Sequence, residues 1–140
     1  MERRVLSIGL ADLTGWQQAI AGQPLEAVGN LLEEAYGRAG DAIVDNGARV
    51  HKYMGDAVMF VADSAASAVA AAHAIAATGP FRIGDRDLRF RVGVASGEVI
   101  TGEFGHSSLR RWDLFGDVVN RTVDLLAEAK VSPSQVAIAS

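Results

Sequence analysis

The sequence predicts one domain of the α+β or α/β class, with helices packed on a β-sheet. Its 140 residues suit a single hydrophobic core, and 49% of them are apolar. Strand-like and helix-like patterns follow one another in the order β-α-α-β-β-α-β-β-β-α-β. No repeat, low-complexity linker or break in composition interrupts this order, so a single sandwich is expected.

The first half of the chain predicts a strand, two helices and a hairpin. Residues 5–11 are a buried apolar run, typical of a strand that ends at Asp12. Residues 12–16 turn the chain into a short helix, and apolar residues at helical spacing over 24–42 predict the longest helix. The segments 49–52 and 57–61 flank Met54-Gly55-Asp56 and predict a hairpin with Asp56 near its bend.

The second half predicts two more helices and several short strands. Its alanine content predicts a helix over 65–77, and alternating basic and apolar residues over 86–94 are typical of a half-buried strand. Four glycines are expected to divide the next stretch and to leave a separate short strand at 98–101. A helix is expected from Gly116 and a final strand at 136–139.

Charge and composition exclude several classes of protein. Thirteen basic and seventeen acidic residues give a net charge of −4, so no nucleic-acid partner is expected. The absence of cysteine excludes disulfide frameworks, thiolate metal sites and cysteine nucleophiles. No apolar run is long enough to cross a bilayer, so we expect no direct membrane contact. A cytoplasmic protein, or the cytosolic part of a longer one, fits this composition.

Two aspartates, Asp12 and Asp56, follow predicted strands in glycine-containing turns. Open sheets bind ligands at strand ends, and Mg²⁺ takes one or two carboxylates, so the pair suits divalent metals. Two such metals would activate an attacking oxygen and stabilise a leaving pyrophosphate. Taken alone, each aspartate has a simpler explanation: Asp12 as a helix cap and Asp56 as a turn residue.

Four motifs, in order, resemble those of the class III adenylate and guanylate cyclases. They are LADLTG at 10–15, KYMGDA at 52–57, RVGVASGEVITGEFG at 91–105 and RWDLFGDVVN at 111–120. Four motifs in order are more specific than any one of them. The resemblance implies one cyclase homology domain over residues 1–140, lacking the family's C-terminal hairpin. It also implies a ferredoxin-like βααββαβ sandwich and a head-to-tail dimer with sites between its two subunits.

The resemblance assigns roles by position. Asp12, Asp56 and the backbone carbonyl of Leu13 would bind two divalent cations, Mg²⁺ or Mn²⁺. Lys52 and Asp113 would recognise the purine. An ammonium only donates and a carboxylate only accepts, which suits the ring nitrogen and the exocyclic amine of adenine and favours ATP over GTP. Without the motifs, Lys52 and Asp113 would be interpreted as solvated surface charges.

The fourth motif departs from the family after Asn120, which occupies the place of the catalytic, transition-state asparagine. Asp124 stands where an arginine is expected, on the same helical face as Asn120, and the family's C-terminal lysine has no equivalent. Arg121 is rotated by about 100° around the helix and is not expected to substitute. Because loss of such a donor costs on the order of a hundred- to a thousandfold in rate, weak turnover is expected.

Three functions remain open. The chain is either an adenylate cyclase acting as a homodimer or heterodimer, a degenerate module for nucleotide binding or regulatory dimerisation, or a half-site whose partner supplies the arginine. The five matching polar positions favour the first or the third function, whereas Asp124 and the short C-terminal end favour the second, and the first is preferred. The three histidines share no metal-ligand spacing and are interpreted as structural or surface residues. They are His51, His73 and His106.

Overall fold

The computed structural model describes residues 1–139 and confirms the predicted sandwich. Its strands are β1 (Glu2–Leu13), β2 (Arg49–Met54), β3 (Ala57–Ala62), β4 (Phe81–Ile83), β5 (Arg86–Leu88), β6 (Phe90–His106), β7 (Leu109–Phe115) and β8 (Val136–Ile138). Its helices are α1 (Trp16–Ile20), α2 (Leu25–Asp45), α3 (Ala65–Ala76) and α4 (Asp117–Val131). Among these residues, no helix combines the length and the apolar character that a bilayer span requires.

The main sheet has the strand order β2-β3-β1-β6-β7, with β8 paired in parallel to β6. Strand β1 lies in the middle, antiparallel to both β3 and β6. Helices α2 and α3 pack on one face around Phe60 and Phe90. Helix α4 packs on the other face through Leu125, against Leu6 and Ile8 of β1. Because side chains alternate along a strand, Asp12 shares the α4 face with Leu6 and Ile8.

The prediction that glycines divide the region after residue 93 is wrong, since β6 is one strand of 17 residues. A Cβ added at Gly93 would lie 2.6 Å from the carbonyl oxygen of Thr122 and 2.8 Å from Cβ of Leu125. Gly93 therefore allows α4 to lie directly on β6, and it does not end the strand. The expected separate strand at 98–101 is part of β6.

The strand predicted over 86–94 is also divided differently. Its first part, β5, pairs with β4 in a small hairpin that the sequence patterns did not predict, and β6 begins at Phe90. The hairpin closes one end of the core, where the Phe81 ring meets the Phe90 ring edge to face at 5.6 Å. A three-residue strand has too few residues for a periodic pattern to be recognised.

The sheet curls until its two edges meet. Strands β2 and β7 stand at opposite ends of the strand order, yet Nζ of Lys52 lies 3.3 Å from Oδ2 of Asp113. The right-handed twist of sheets accumulates over several strands and can bring distant edges together. Polar side chains of β2 and β7 therefore meet, although the two strands are far apart in the strand order.

Candidate active site

Asp12 and Asp56 come together where β1 ends. Asp12 is the penultimate residue of β1, and Asp56 lies in the turn between β2 and β3. The backbone N–H of Leu13 donates to Oδ2 of Asp56 at 3.1 Å and ties the turn to β1. Asp12 is not a helix cap, since Gly15 occupies the N-cap position of α1 without a side-chain cap.

The two carboxylates repel each other. The pKa of Asp56 is raised, first by burial and next by the negative charge of Asp12, although the Leu13 N–H and Arg91 act in the opposite direction. A positive charge placed between two partly buried carboxylates would relieve this repulsion, which is the environment that a divalent cation favours.

Arg91 is a site residue that the sequence patterns did not single out. Its Nε donates to Oδ1 of Asp12 at 2.6 Å and its Nη2 donates to Oδ2 at 3.2 Å. Its Nη1 also donates to the carbonyl oxygen of Leu126 in α4 at 3.2 Å. Asp12 and Arg91 are directly opposite each other in the β1–β6 pairing, so only the strand register could have revealed this contact.

Tyr36 of α2 supports the Asp56 turn from the other face of the sheet. Its hydroxyl donates to the carbonyl oxygen of Gly55, and its ring stacks on Tyr53 with centroids 4.2 Å apart. Gly55 has a φ of 60°, a left-handed conformation that glycine adopts without strain. The turn that carries Asp56 is therefore held from both sides.

The oxygen donors at this place fit Mg²⁺ or Mn²⁺. Within residues 1–139, no group of three or more histidine and acidic side chains forms a closed metal site. Mg²⁺ characteristically takes one or two carboxylates and completes its shell with water and phosphate oxygens. Asp12 and Asp56 supply the carboxylates that such an open site needs, and Arg91 is already bonded to Asp12 there. Leu13 meets Asp56 through its backbone N–H, and the role of its carbonyl stays a prediction.

Lys52 and Asp113 form an ion pair between the two edge strands. Nζ of Lys52 lies 3.3 Å from Oδ2 and 3.4 Å from Oδ1 of Asp113. Both side chains are partly buried, with 31% of Lys52 and 24% of Asp113 exposed. They are therefore paired with each other and are not independent solvated charges.

The environment of Asp113 favours its ionised form. Burial acts to raise the pKa of Asp113, but hydrogen bonds from His51, the Leu114 N–H and Lys52 outweigh it and lower the pKa. An ionised carboxylate can only accept hydrogen bonds, whereas the ammonium of Lys52 can only donate them. The pair therefore presents one donor and one acceptor side by side.

His51 belongs to this group and is a buried residue, so of the two expected alternatives the structural one holds and the surface one does not. Its side chain is only 4% exposed, and its Nε2 lies 2.9 Å from Oδ1 of Asp113. Its ring meets Trp112 edge to face, with centroids 5.4 Å apart. No local spacing could have identified the contact with Asp113, because it joins residues 62 positions apart.

Asn120 and Asp124 line one cavity of about 670 Å³ between α4 and β6. Arg121 lines the cavity as well, so its rotation around the helix does not place it outside. Its Nη2 lies 3.8 Å from Oε1 of Glu128. In the described part of the chain, no hydrogen bond or ion pair links Asn120 to Lys52. The described residues thus include three polar groups of interest: the Asp12–Asp56 carboxylate pair, the Lys52–Asp113 pair and the α4 cavity.

Comparison with known proteins identifies the family. The family model described as the adenylate and guanylate cyclase catalytic domain matches residues 3–140. An adenylate cyclase of Streptomyces coelicolor is 32% identical over 121 residues, which are 86% of this chain and 29% of that protein. The chain thus spans less than a third of the length of this curated relative.

Two solved structures share the fold. A bacterial light-regulated adenylyl cyclase has a TM-score of 0.82 at 22% identity, with 99% of this chain and 77% of that chain covered. The guanylyl cyclase Cya2 has a TM-score of 0.76 at 23% identity, with coverage of 91% and 71%. These likenesses establish the fold but do not distinguish ATP from GTP. On the match over residues 3–140, the chain belongs to the adenylate and guanylate cyclase catalytic domain family.

Proposed function

We propose that this domain is an adenylate cyclase, which converts ATP to cyclic AMP and pyrophosphate. The observation that carries the proposal is the donor–acceptor pair of Lys52 and Asp113, 3.3 Å apart. Adenine offers a ring-nitrogen acceptor beside an amino donor, which complements this pair. Guanine offers a ring N–H and a carbonyl in those places. The ring N–H would face the Lys52 donor and the carbonyl would face the Asp113 acceptor, so neither hydrogen bond could form.

Asp12, Asp56 and the carbonyl of Leu13 would hold two divalent cations. Bound there, the cations supply Lewis acidity to the ribose 3′-hydroxyl and neutralise charge on the phosphates. The guanidinium of Arg91 lies beside the same carboxylates, within 2.6 Å of Asp12, and adds a positive charge for the polyphosphate. Through these cations the carboxylates would hold the triphosphate end of the nucleotide, and Arg91 would help to orient it.

The active form requires a second cyclase domain. In one copy, the metal-binding and base-contacting groups share no hydrogen bond among residues 1–139. Strand β7 also exposes large apolar side chains at a sheet edge: 66% of Leu109, 39% of Trp112 and 52% of Phe115 are accessible. An exposed apolar edge marks a surface that another chain covers. Two copies, or this chain with a different cyclase chain, would complete the site.

Turnover by the natural sequence is expected to be weak because of Asp124. Its carboxylate lines the same cavity as Asn120, where negative charge opposes the charge that develops on the phosphates. The same feature favours a second candidate, in which this chain contributes the metal-binding half of a heterodimer and the partner supplies the arginine. The third candidate is a regulatory dimerisation module without turnover.

Asp124→Arg tests these alternatives directly. We expect slow formation of cyclic AMP by the parent protein with ATP and Mn²⁺ or Mg²⁺. The variant should be roughly a hundredfold faster, the usual value of one charged donor to a transition state. Asp41→Arg is the matched control, because it makes the same charge change at an exposed position of α2 and should leave the rate unchanged.

The outcomes separate the three candidates. If neither the parent nor Asp124→Arg forms cyclic AMP, and neither binds ATP in calorimetry, the cyclase proposal fails and the dimerisation module stands. If cyclic AMP forms only after a second cyclase chain is added, the half-site function is selected.

A further inference from the structure

We propose that His51 is a positioning residue that fixes the Asp113 carboxylate for adenine recognition. The inference rests on the proposed function, because Asp113 reads the base there. His51 would not touch the nucleotide, and its effect would pass through Asp113.

The bond between the two side chains has a defined direction. Asp113 is held in its ionised form and can only accept, so Nε2 of His51 must carry the hydrogen across the 2.9 Å contact. The imidazole is almost fully buried, with 4% of its side chain exposed, and the indole of Trp112 packs against its ring. Burial and packing leave the donor little freedom to turn away from Asp113.

His51 makes the two oxygens of Asp113 unequal. Oδ1 accepts from Nε2 of His51, from the Leu114 N–H at 2.7 Å and from Lys52 at 3.4 Å. Among residues 1–139, the only hydrogen-bond donor to Oδ2 is Lys52, at 3.3 Å. Oδ2 therefore keeps acceptor capacity beside the Lys52 ammonium, and that is the pattern the adenine edge requires.

A β-bulge makes this arrangement possible. In the β2–β3 pairing, Val50 is opposite Phe60 and Lys52 is opposite Met59, so His51 is an extra residue without its own partner. Successive side chains of a regular strand point to opposite faces, and His51 and Lys52 would then be on different sides of the sheet. The bulge lets two consecutive residues reach one carboxylate, and bulges are known to redirect side chains in this way.

A matched pair of amide substitutions tests the role of the Nε2 donor. In His51→Gln the amide nitrogen stands the same number of bonds from Cβ as Nε2 of histidine, whereas in His51→Asn it stands one bond closer. His51→Leu removes the donor altogether. The readout is the ratio of kcat/KM for ATP to kcat/KM for GTP, which a general loss of stability leaves unchanged.

We expect His51→Gln to keep the ratio of the parent protein, and His51→Asn and His51→Leu to lower it by roughly tenfold. That factor corresponds to the loss of one hydrogen bond to a charged group. An unchanged ratio in His51→Leu, or an equal fall in His51→Gln and His51→Asn, overturns the positioning role.

A second measurement needs no nucleotide and no turnover. Carbon NMR titration of the Asp113 carboxyl should give a higher pKa in His51→Asn and His51→Leu than in the parent, with His51→Gln close to the parent. Equal pKa values of Asp113 in all four proteins would show that His51 does not stabilise the ionised carboxylate, and they would overturn the inference. If the titrations differ as expected but the parent neither binds nor cyclises ATP, the proposed function fails and the adenine role of His51 fails with it.

Discussion

Asp56 and Asp113 are both partly buried aspartates at the edge of one curled sheet, but their surroundings shift their pKa values in opposite directions. Burial and the neighbouring charge of Asp12 raise the pKa of Asp56. Burial also acts to raise the pKa of Asp113, but the donors His51, Leu114 N–H and Lys52 reverse the effect. The difference lies in the partners, because burial acts in the same direction at both positions.

The comparison separates two ways of building a binding group. The carboxylate pair at Asp12 and Asp56 has an excess of negative charge that Arg91 offsets only in part, so in the proposed function a bound cation would stabilise it. The Lys52–Asp113 pair is already held by donors of the protein itself, so in the proposed function its geometry is set before a nucleotide binds. Substitutions in the carboxylate pair should therefore change how much a metal ion stabilises the fold, whereas substitutions in the Lys52–Asp113 pair should not.

The largest expected effect is on kcat/KM, when the charge of Asp56 or of Asp113 is removed in separate variants. Asp56→Asn should lower kcat/KM by at least about a hundredfold with ATP and GTP alike, because it weakens the metal-binding pair on which both nucleotides depend. Asp113→Asn should act mainly on the choice of base and lower the ratio of ATP to GTP turnover by roughly tenfold. Steady-state kinetics with both nucleotides and Mn²⁺ measures the two effects.

Asp85→Asn serves as the control, because it makes the same chemical change at an exposed position between β4 and β5. It should match the parent protein in both rate and nucleotide ratio. A nucleotide ratio that falls in Asp56→Asn but not in Asp113→Asn would contradict the division of roles between the two aspartates.

The next effect is stabilisation by the cation itself. A ligand that binds only the folded state at a hundred times its Kd adds about 2.7 kcal/mol to the free energy of unfolding. Mn²⁺ should therefore raise the Tm of the parent and of Asp113→Asn, and the shift should largely disappear in Asp56→Asn. Thermal unfolding followed with and without a chelator measures the shift. An equal Tm shift in all three proteins would mean that the cation does not bind at Asp56.

Local patterns predicted the four helices and the β2–β3 hairpin, because each depends on a short stretch of sequence. The helical spacing over 24–42 is an example. The family resemblance supplied the strand pairing of the sandwich, which periodicity alone left open between two fold classes.

Contacts between distant strands could not be predicted in this way. Asp12 meets Arg91 through the register of β1 with β6, and His51 meets Asp113 through a bulge combined with the curl of the whole sheet. A bulge shifts the register by one residue, and a single sequence carries no signal for it. Gly93 was misjudged for a related reason: its role depends on α4, which packs on it from about thirty residues away.

The smallest effect is on stability without metal, and the two aspartates should differ in its sign. At neutral pH the ionised form of Asp56 opposes folding, so Asp56→Asn should raise the Tm by a few degrees in the presence of a chelator. Its amide oxygen can still accept the Leu13 N–H. Asp113→Asn should lower the Tm by a similar amount, because it removes the ionised acceptor of hydrogen bonds from three donors, His51, Lys52 and the Leu114 N–H.

The pH dependence gives the same comparison a second test. Because the folded pKa of Asp113 lies below its unfolded value near 3.9, its stabilising contribution is complete above that value and is lost as the pH falls through the folded pKa. The folded pKa of Asp56 is raised, so its penalty is absent below the unfolded value and complete once the pH exceeds the folded pKa. Unfolding curves from neutral to acidic pH should therefore bring both variants towards the parent, Asp56→Asn from above and Asp113→Asn from below. An approach from the same side would mean that the two carboxylates do not differ in their electrostatic surroundings.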